Sequence, residues 1–199
     1  MKHFKNMDII FLMVSNLVKK KLNLGKKIER IDLPVVDKEI HPPGTHSPVF
    51  NSFASSKNNK YGLNLSIFKD KKSGVGCIWN AEKQFEGYPN ALHGGIGFTI
   101  LDEVLAYAVF EKYNTFSVTL SSKLFFISPI KTGRVLFVKA EVASRFWRFV
   151  KVKGWIADHK GRVSLKSVSI FYIPTPRQFS RLTDKNLFPK ESIPYFGVD

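Results

Sequence analysis

Cysteine is nearly absent: Cys77 is the one thiol in 199 residues. A single thiol excludes a disulfide within the chain and a cysteine-rich metal cluster, and it fits a reducing, cytoplasmic compartment. Long apolar runs are missing too. The stretch Asp8-Ile-Ile-Phe-Leu-Met-Val14 falls well short of the roughly 20 apolar residues that cross a bilayer. It has the length of a signal-peptide core, but Asp8 precedes it and no small-x-small cleavage pattern follows. Acids are scarce, with 16 Asp and Glu against 31 Lys and Arg, a formal net charge of +15. Such a balance suits an anionic partner: nucleic acid, an anionic membrane or a polyanionic small molecule. The lysines are scattered, however, and no basic-aromatic array or nucleic-acid motif stands out, so no nucleic acid is expected. Most of the charge reads as surface solvation, with a minority serving ligand phosphates. His3, His41, His46, His93 and His159 show no metal-ligand spacing beside acids, so no metal is expected. No internal repeat or low-complexity block appears.

What is present divides into a domain and its appendages. Residues 1–30 read as a basic amphipathic helix, lying on the protein itself, on a dimer mate or on an anionic membrane surface. Residues 31–59 carry Pro34, Pro42, Pro43, Gly44 and Pro48 and read as an extended arm with little regular structure. His41 and His46 within it are expected to face solvent. A domain is expected over 60–175 and a tail over 176–199. Within the domain, Tyr61–Lys69 and Gly74–Asn80 read as strands, followed by a loop and one long apolar helix from His93 to about Phe110. Phe116–Ser128, Arg134–Ala143, Trp147–Ala157 and Arg162–Ile173 then read as strands, with a corner near Ser144 and a hairpin turn at Asp158–Gly161. The class is α+β.

The helix carries the chemistry. On a helical wheel Glu103 shares a polar stripe with Thr99 and Tyr107, whereas Asp102 shares its face with Phe98, Leu105, Ala106 and Val109. A carboxylate on an apolar face is costly to bury unless something there uses it; Asp102 at the helix edge, reaching water, is the plainer alternative. At the helix start, Gly94 and Gly95 keep side chains away from backbone N–H groups that have no partner inside the helix. Those donors and the positive end of the helix dipole suit a developing negative charge.

The run Phe85-Glu-Gly-Tyr-Pro-Asn-Ala-Leu-His-Gly-Gly95, with Asp102-Glu103 after six further residues, resembles the signature of hotdog-fold acyl-CoA thioesterases of the phenylacetate-pathway, PaaI-like type, in the 4-hydroxybenzoyl-CoA thioesterase superfamily. Ser117-Val-Thr-Leu-Ser-Ser-Lys-Leu-Phe-Phe-Ile-Ser-Pro129-Ile-Lys-Thr-Gly133 resembles that family's strand and turn after the helix. The resemblance spans roughly residues 60–175. It implies a hotdog fold, an antiparallel sheet wrapped round one long central helix, and hydrolysis of an acyl-CoA thioester without a cofactor. It also implies a homodimer or a dimer of dimers, since the exposed edge of such a sheet is usually paired.

By the same resemblance Asp102 is the nucleophile or general base, Gly94 offers the N–H that polarises the thioester carbonyl, and His93 orients the loop. Thr119 stands near the attacking water, and Asn90, Gly95 and Phe98 bind the substrate. Burial would make Asp102 a stronger base, while the helix dipole and nearby donors oppose that. Many relatives have Asn or Gln six positions before the histidine as a second carbonyl donor; here that position is Gly87. Asn90 or Glu86 are the substitutes at hand, although an ionised Glu only accepts. Arg145, Arg148, Lys151 and Lys153 suit the CoA phosphates by charge, and solvated strand ends explain them equally well. Phe98, Leu105, Phe125 and Phe126 suggest an apolar or aromatic acyl group. Two alternatives stay open. One is a non-catalytic acyl-CoA-binding protein. The other is an enoyl-CoA hydratase or dehydratase of the same fold, which needs a catalytic His ahead of the loop where this chain has Lys83 and Gln84.

Overall fold

The computed structural model describes residues 28–45 and 47–182, so the N-terminal helix expected within 1–30, the reading of His46 and most of the 176–199 tail fall outside the described residues. Among the described residues nine strands form: β1 (Val36–Glu39), β2 (Ile67–Asp70), β3 (Val75–Ala81), β4 (Glu86–Tyr88), β5 (Ala91–Leu92), β6 (Val118–Phe126), β7 (Arg134–Phe146), β8 (Phe149–Ala157) and β9 (Val163–Tyr172). Two helices join them, α1 (Gly94–Tyr113) and the short α2 (Pro176–Leu182). Seven strands make one sheet in the order β1-β2-β3-β7-β8-β9-β6, while β4 and β5 form a separate small ribbon. Every pairing in the large sheet is antiparallel. This is the hotdog fold, with α1 as the central helix.

Apolar periodicity decides how α1 sits. Gly97, Ile100, Leu101, Val104, Leu105, Ala108 and Val109 are buried, the 3–4 spacing of one broad helix face. They lie on inward residues of the sheet, Val138, Val150, Val152, Ile156, Leu165 and Phe171, all fully buried. A side chain at Gly154 would meet Leu101 and Leu105 at 3.1 and 3.0 Å, so the missing Cβ lets helix and sheet close up. His93 caps the helix start by accepting from Gly95 N–H, and Asn114 ends it in the left-handed conformation at φ 51°. These caps satisfy groups the helix cannot satisfy internally.

Four features differ from the pattern reading. The expected strand over Tyr61–Lys69 begins only at Ile67, because Asn64 takes φ 52°; Leu63 and Leu65 still point inward, bonded through their N–H groups to Phe53 and Ala54. The extended arm contains β1, which pairs with β2. The corner expected near Ser144 is a register shift between Val142 and Ser144 inside one long strand, β7. Pro176 opens a short helix at the start of the stretch expected as a tail, as proline does readily at a first helical position. Beneath the arm, Lys139 and Asp70 make a 3.0 Å ion pair. Burial raises the Asp70 pKa, but bonds from the Lys72 N–H, the Lys139 ammonium and the Val35 N–H outweigh it and leave the carboxyl below its ordinary value.

Candidate active site

The structure brings Asp102 and Thr119 together: the Thr119 hydroxyl donates to Asp102 Oδ1 at 2.8 Å. Asp102 is half-buried on α1 and Thr119 exposed on β6, the strand at the edge of the sheet. A register shift between Thr119 and Ser121 in the pairing with β9 marks the strand at this point, where such irregularities re-aim side chains. Because Thr119 spends its proton on Asp102, its lone pairs remain to accept from a water or ligand.

A second group of residues meets at the start of α1. His93 Nδ1 accepts from Gly95 N–H at 3.0 Å. The Gly95 donor is therefore taken, while Gly94, the first residue of α1, is exposed. A cleft of about 260 Å³ lies here, lined by His93, Gly94, Gly97, Phe126 and Ile130 among others. A side chain at Gly94 would meet the Phe126 ring at 3.2 Å, so this ring walls the approach to the Gly94 N–H. Phe98, half-buried, is one helical turn before Asp102 on the same flank.

The two groups do not meet within one chain. Gly94 and Asp102 are eight residues apart on a continuous helix, about 12 Å at 1.5 Å per residue. Neither Asp102 nor Thr119 lines the cleft at Gly94.

The loop before the helix explains the departure at Gly87. A Cβ there would stand 3.0 Å from His93 Cα and Cδ2, so the capping histidine occupies the room a donor side chain would need. Of the substitutes, Glu86 is engaged by the Thr132 hydroxyl at 2.6 Å. Asn90 sits exposed in the β4–β5 turn with φ 61°, and its carbonyl accepts from Thr132 N–H at 3.4 Å.

Glu103 departs from the polar-stripe reading. The Ser55 hydroxyl donates to its carboxylate, and Ser55 belongs to the segment 47–66 that closes over this flank of the helix. Burial raises the Glu103 pKa, the Ser55 bond opposes the rise, and the Asp102 charge adds to it. Tyr107 on the same flank is pushed up to about 12, by burial first and then by Glu103. Ser55 was invisible to pattern reading because a serine in a Ser/Asn/Lys stretch looks like any loop residue. Phe126 and Ile130 carried a weak signal in the apolar run before and after Pro129. Among the described residues, no group of His, Cys, Asp and Glu could hold a metal, and no helix is long and apolar enough to cross a membrane.

Comparison with known proteins agrees with this architecture. Residues 90–164 match the family model of the thioesterase superfamily, a segment holding α1, β6, β7, β8 and the start of β9. Among solved structures, a thioesterase superfamily protein aligns at TM-score 0.59 and 15% identity, over 82% of this chain and 78% of its own. A hypothetical thioesterase from Streptococcus pneumoniae, solved with coenzyme A, aligns at TM-score 0.51 and 23% identity over 55% of this chain and 87% of its own. A phenylacetic acid degradation-related protein from Ralstonia eutropha aligns at TM-score 0.50 and 21% identity, over 56% and 86%. No curated protein matches the chain. The resemblance to the thioesterase superfamily stands.

Proposed function

We propose that the protein hydrolyses acyl-CoA thioesters, and that two copies of the chain together build each site. The observation that carries this is the 2.8 Å bond between Thr119 on β6 and Asp102 on the helix that begins at Gly94. In the reaction Asp102 takes a proton from a water held against Thr119, and the resulting hydroxide attacks the thioester carbonyl. The Gly94 N–H steadies the oxyanion. Collapse breaks the C–S bond, and the departing thiolate takes the proton from Asp102, leaving free acid and CoA. Direct attack by the Asp102 carboxylate, followed by hydrolysis of the anhydride, uses the same residues.

About 12 Å of helix between Gly94 and Asp102 is too far for both to act on one carbonyl in a single chain. The edge strand β6 offers the remedy. Leu120, Phe125 and Phe126 are 54%, 36% and 57% exposed along it, and an unpaired apolar edge is a site for strand pairing. Pairing β6 with a second copy about a two-fold axis runs the two strands antiparallel, so Asp102 of one chain approaches the helix start of the other. The sheet becomes continuous across a homodimer. Lys151 and Lys153, exposed on β8, are the candidates for the CoA phosphates.

A panel of acyl-CoAs of different chain length and aromatic content, assayed by release of free thiol, tests the reading. Turnover of at least one member is expected, and none across the panel overturns it. One observation favours a second reading. Gly95 N–H is taken by His93 and position 87 has no room for a donor, so the hole for the oxyanion is sparse. Tight binding of acyl-CoA without turnover would make the protein an acyl-CoA-binding module.

A further inference from the structure

The hairpin joining β7 and β8 ends in aromatic side chains that the described fold leaves uncovered. Phe146 is 81% exposed, Trp147 65% and Phe149 38%. Trp147 leans on Phe149 and Tyr172, with ring centroids 6.0 and 6.4 Å away. Single exposed apolar residues are ordinary, but a contiguous group marks a contact surface. The backbone adds a second observation. Two-residue hairpin turns give their positive φ to glycine, asparagine or aspartate, yet here Trp147 holds φ 51°. A bulky residue in that region is strained, so the chain keeps a large ring at its tip against the local preference of the turn.

The surroundings are cationic. The Arg145 guanidinium lies 4.6 Å and the Lys112 ammonium 5.9 Å from the Tyr113 ring. The helix α2, whose Gln178 accepts from the Tyr172 hydroxyl at 3.1 Å, adds Arg177 and Arg181. Between Lys112 and Leu182 the only acids are Glu141 and Asp158. Neither is at the tip: Asp158 is bonded to Arg162 beyond the far end of β8, and Glu141 accepts from Ser73.

We propose that this tip docks the protein on an anionic phospholipid surface, with Phe146 and Trp147 entering the interfacial layer and Arg145, Lys112, Arg177 and Arg181 facing the headgroups. Rings with one apolar and one polar side favour that layer, and basic residues beside it are drawn to anionic lipid. The rings stand on a convex tip and not along a basic groove, which disfavours stacking with single-stranded nucleic acid. The proposal does not depend on thioester hydrolysis.

The test uses the full chain with vesicles of equal parts phosphatidylcholine and phosphatidylglycerol, and with pure phosphatidylcholine. Sedimentation with the mixed vesicles should exceed that with the neutral ones and weaken as salt is raised. The double variant Phe146→Ser/Trp147→Ser should lower the partition coefficient by about tenfold or more while its melting temperature holds. Because residues 2–30 are also basic, a reading from the tip itself is needed: lipids brominated on their acyl chains should quench Trp147. Of the other two tryptophans, Trp79 is only 8% exposed and Trp155 is half-buried within β8, and the quenching should be lost in the double variant. Undiminished vesicle binding by that variant, absent quenching, or no binding to mixed vesicles each overturns the proposal. Loss of coenzyme A affinity with vesicle binding intact would give the tip to the coenzyme instead. A shift from dimer to monomer would give it to a second copy.

Discussion

Asp102 and Glu103 are adjacent on α1 and carry the same charge, yet the helix turns them into opposite surroundings. Asp102 faces the flank bordered by β6, where the Thr119 hydroxyl is its partner at 2.8 Å and where, among the described residues, the sheet ends. Glu103 faces the flank that segment 47–66 closes, where Ser55 bonds it and Tyr107 lies beside it. One flank is open to a ligand or a second chain; the other is sealed by the protein's own arm. A carboxylate on the open flank can exchange protons with water at each turnover, whereas one on the sealed flank can only hold structure. Position relative to the chain's own covering segments, and not charge or neighbourhood in sequence, separates the surroundings of the two acids.

The widest separation between the flanks should come from Asp102→Asn. A near-isosteric amide cannot act as base or nucleophile, and losing such a group costs at least about 100-fold in rate. Thiol release should fall by that much or more while acyl-CoA binding and the melting temperature hold. Near-full activity in this variant would remove the open flank from the chemistry.

Gly94→Pro comes next. Proline at the first helical position deletes the N–H with little cost to the helix, and His93 already has φ −59° and ψ 131°, a conformation a residue before proline prefers. The Phe126 ring, 3.2 Å from the added Cβ, is 57% exposed and has room to give. The kcat should drop by about 100-fold, the usual effect of one lost oxyanion donor. Mixing this variant with Asp102→Asn after unfolding and refolding together tests the two-chain site directly. Half of the dimers are then mixed, and each has one intact site of two, so about a quarter of the wild-type activity should return. Activity that stays at the level of the parents would place Gly94 and Asp102 of one chain in one site, against the helix geometry.

A milder change on the open flank is Thr119→Val, which keeps the strand residue's shape and removes the hydroxyl. The attacking water loses its acceptor, and kcat should fall by about tenfold, the cost of one hydrogen bond of about 1.4 kcal/mol. An unchanged rate would make Thr119 a strand residue whose bond to Asp102 is incidental.

The open flank was largely legible in the sequence, and the sealed one was not. Asp102, Gly94 and His93 announce themselves because helix periodicity and two adjacent glycines are local signals, readable within about ten residues. The Thr119 strand and the α+β class follow from equally local patterns. Ser55 reaches Glu103 across 48 positions of sequence, and no local pattern encodes which loop will fold over which helix face. The same limit hid β1, whose pairing with β2 is long-range, and the bulge that makes β7 one strand. Gly87 is a further instance: its meaning lies in the His93 side chain packed against it, a contact set by the ribbon of β4 and β5.

The smallest expected effect falls on the sealed flank, through Glu103→Gln. Burial raises the Glu103 pKa above the ordinary 4.5, so between 4.5 and that raised value the folded chain holds more protons than the unfolded one. Stability must then fall as pH rises through this window, and above it the cost of keeping an ionised Glu103 buried is constant. Glutamine keeps an oxygen to accept from Ser55 and carries no charge, so it escapes the cost. At pH 7.5 the variant should melt at a higher temperature than wild type. The difference should shrink as the pH is lowered toward 4.5 and vanish below it, because there both side chains are neutral. Thiol release by Glu103→Gln should stay within about twofold of wild type, since a residue bonded to Ser55 under the arm takes no part in proton transfer. A variant less stable at pH 7.5, with no pH dependence in the difference, would mean that the ionised carboxylate is itself what holds the arm down. A large fall in its rate would show that the two flanks act as one site, and the contrast between them would be gone.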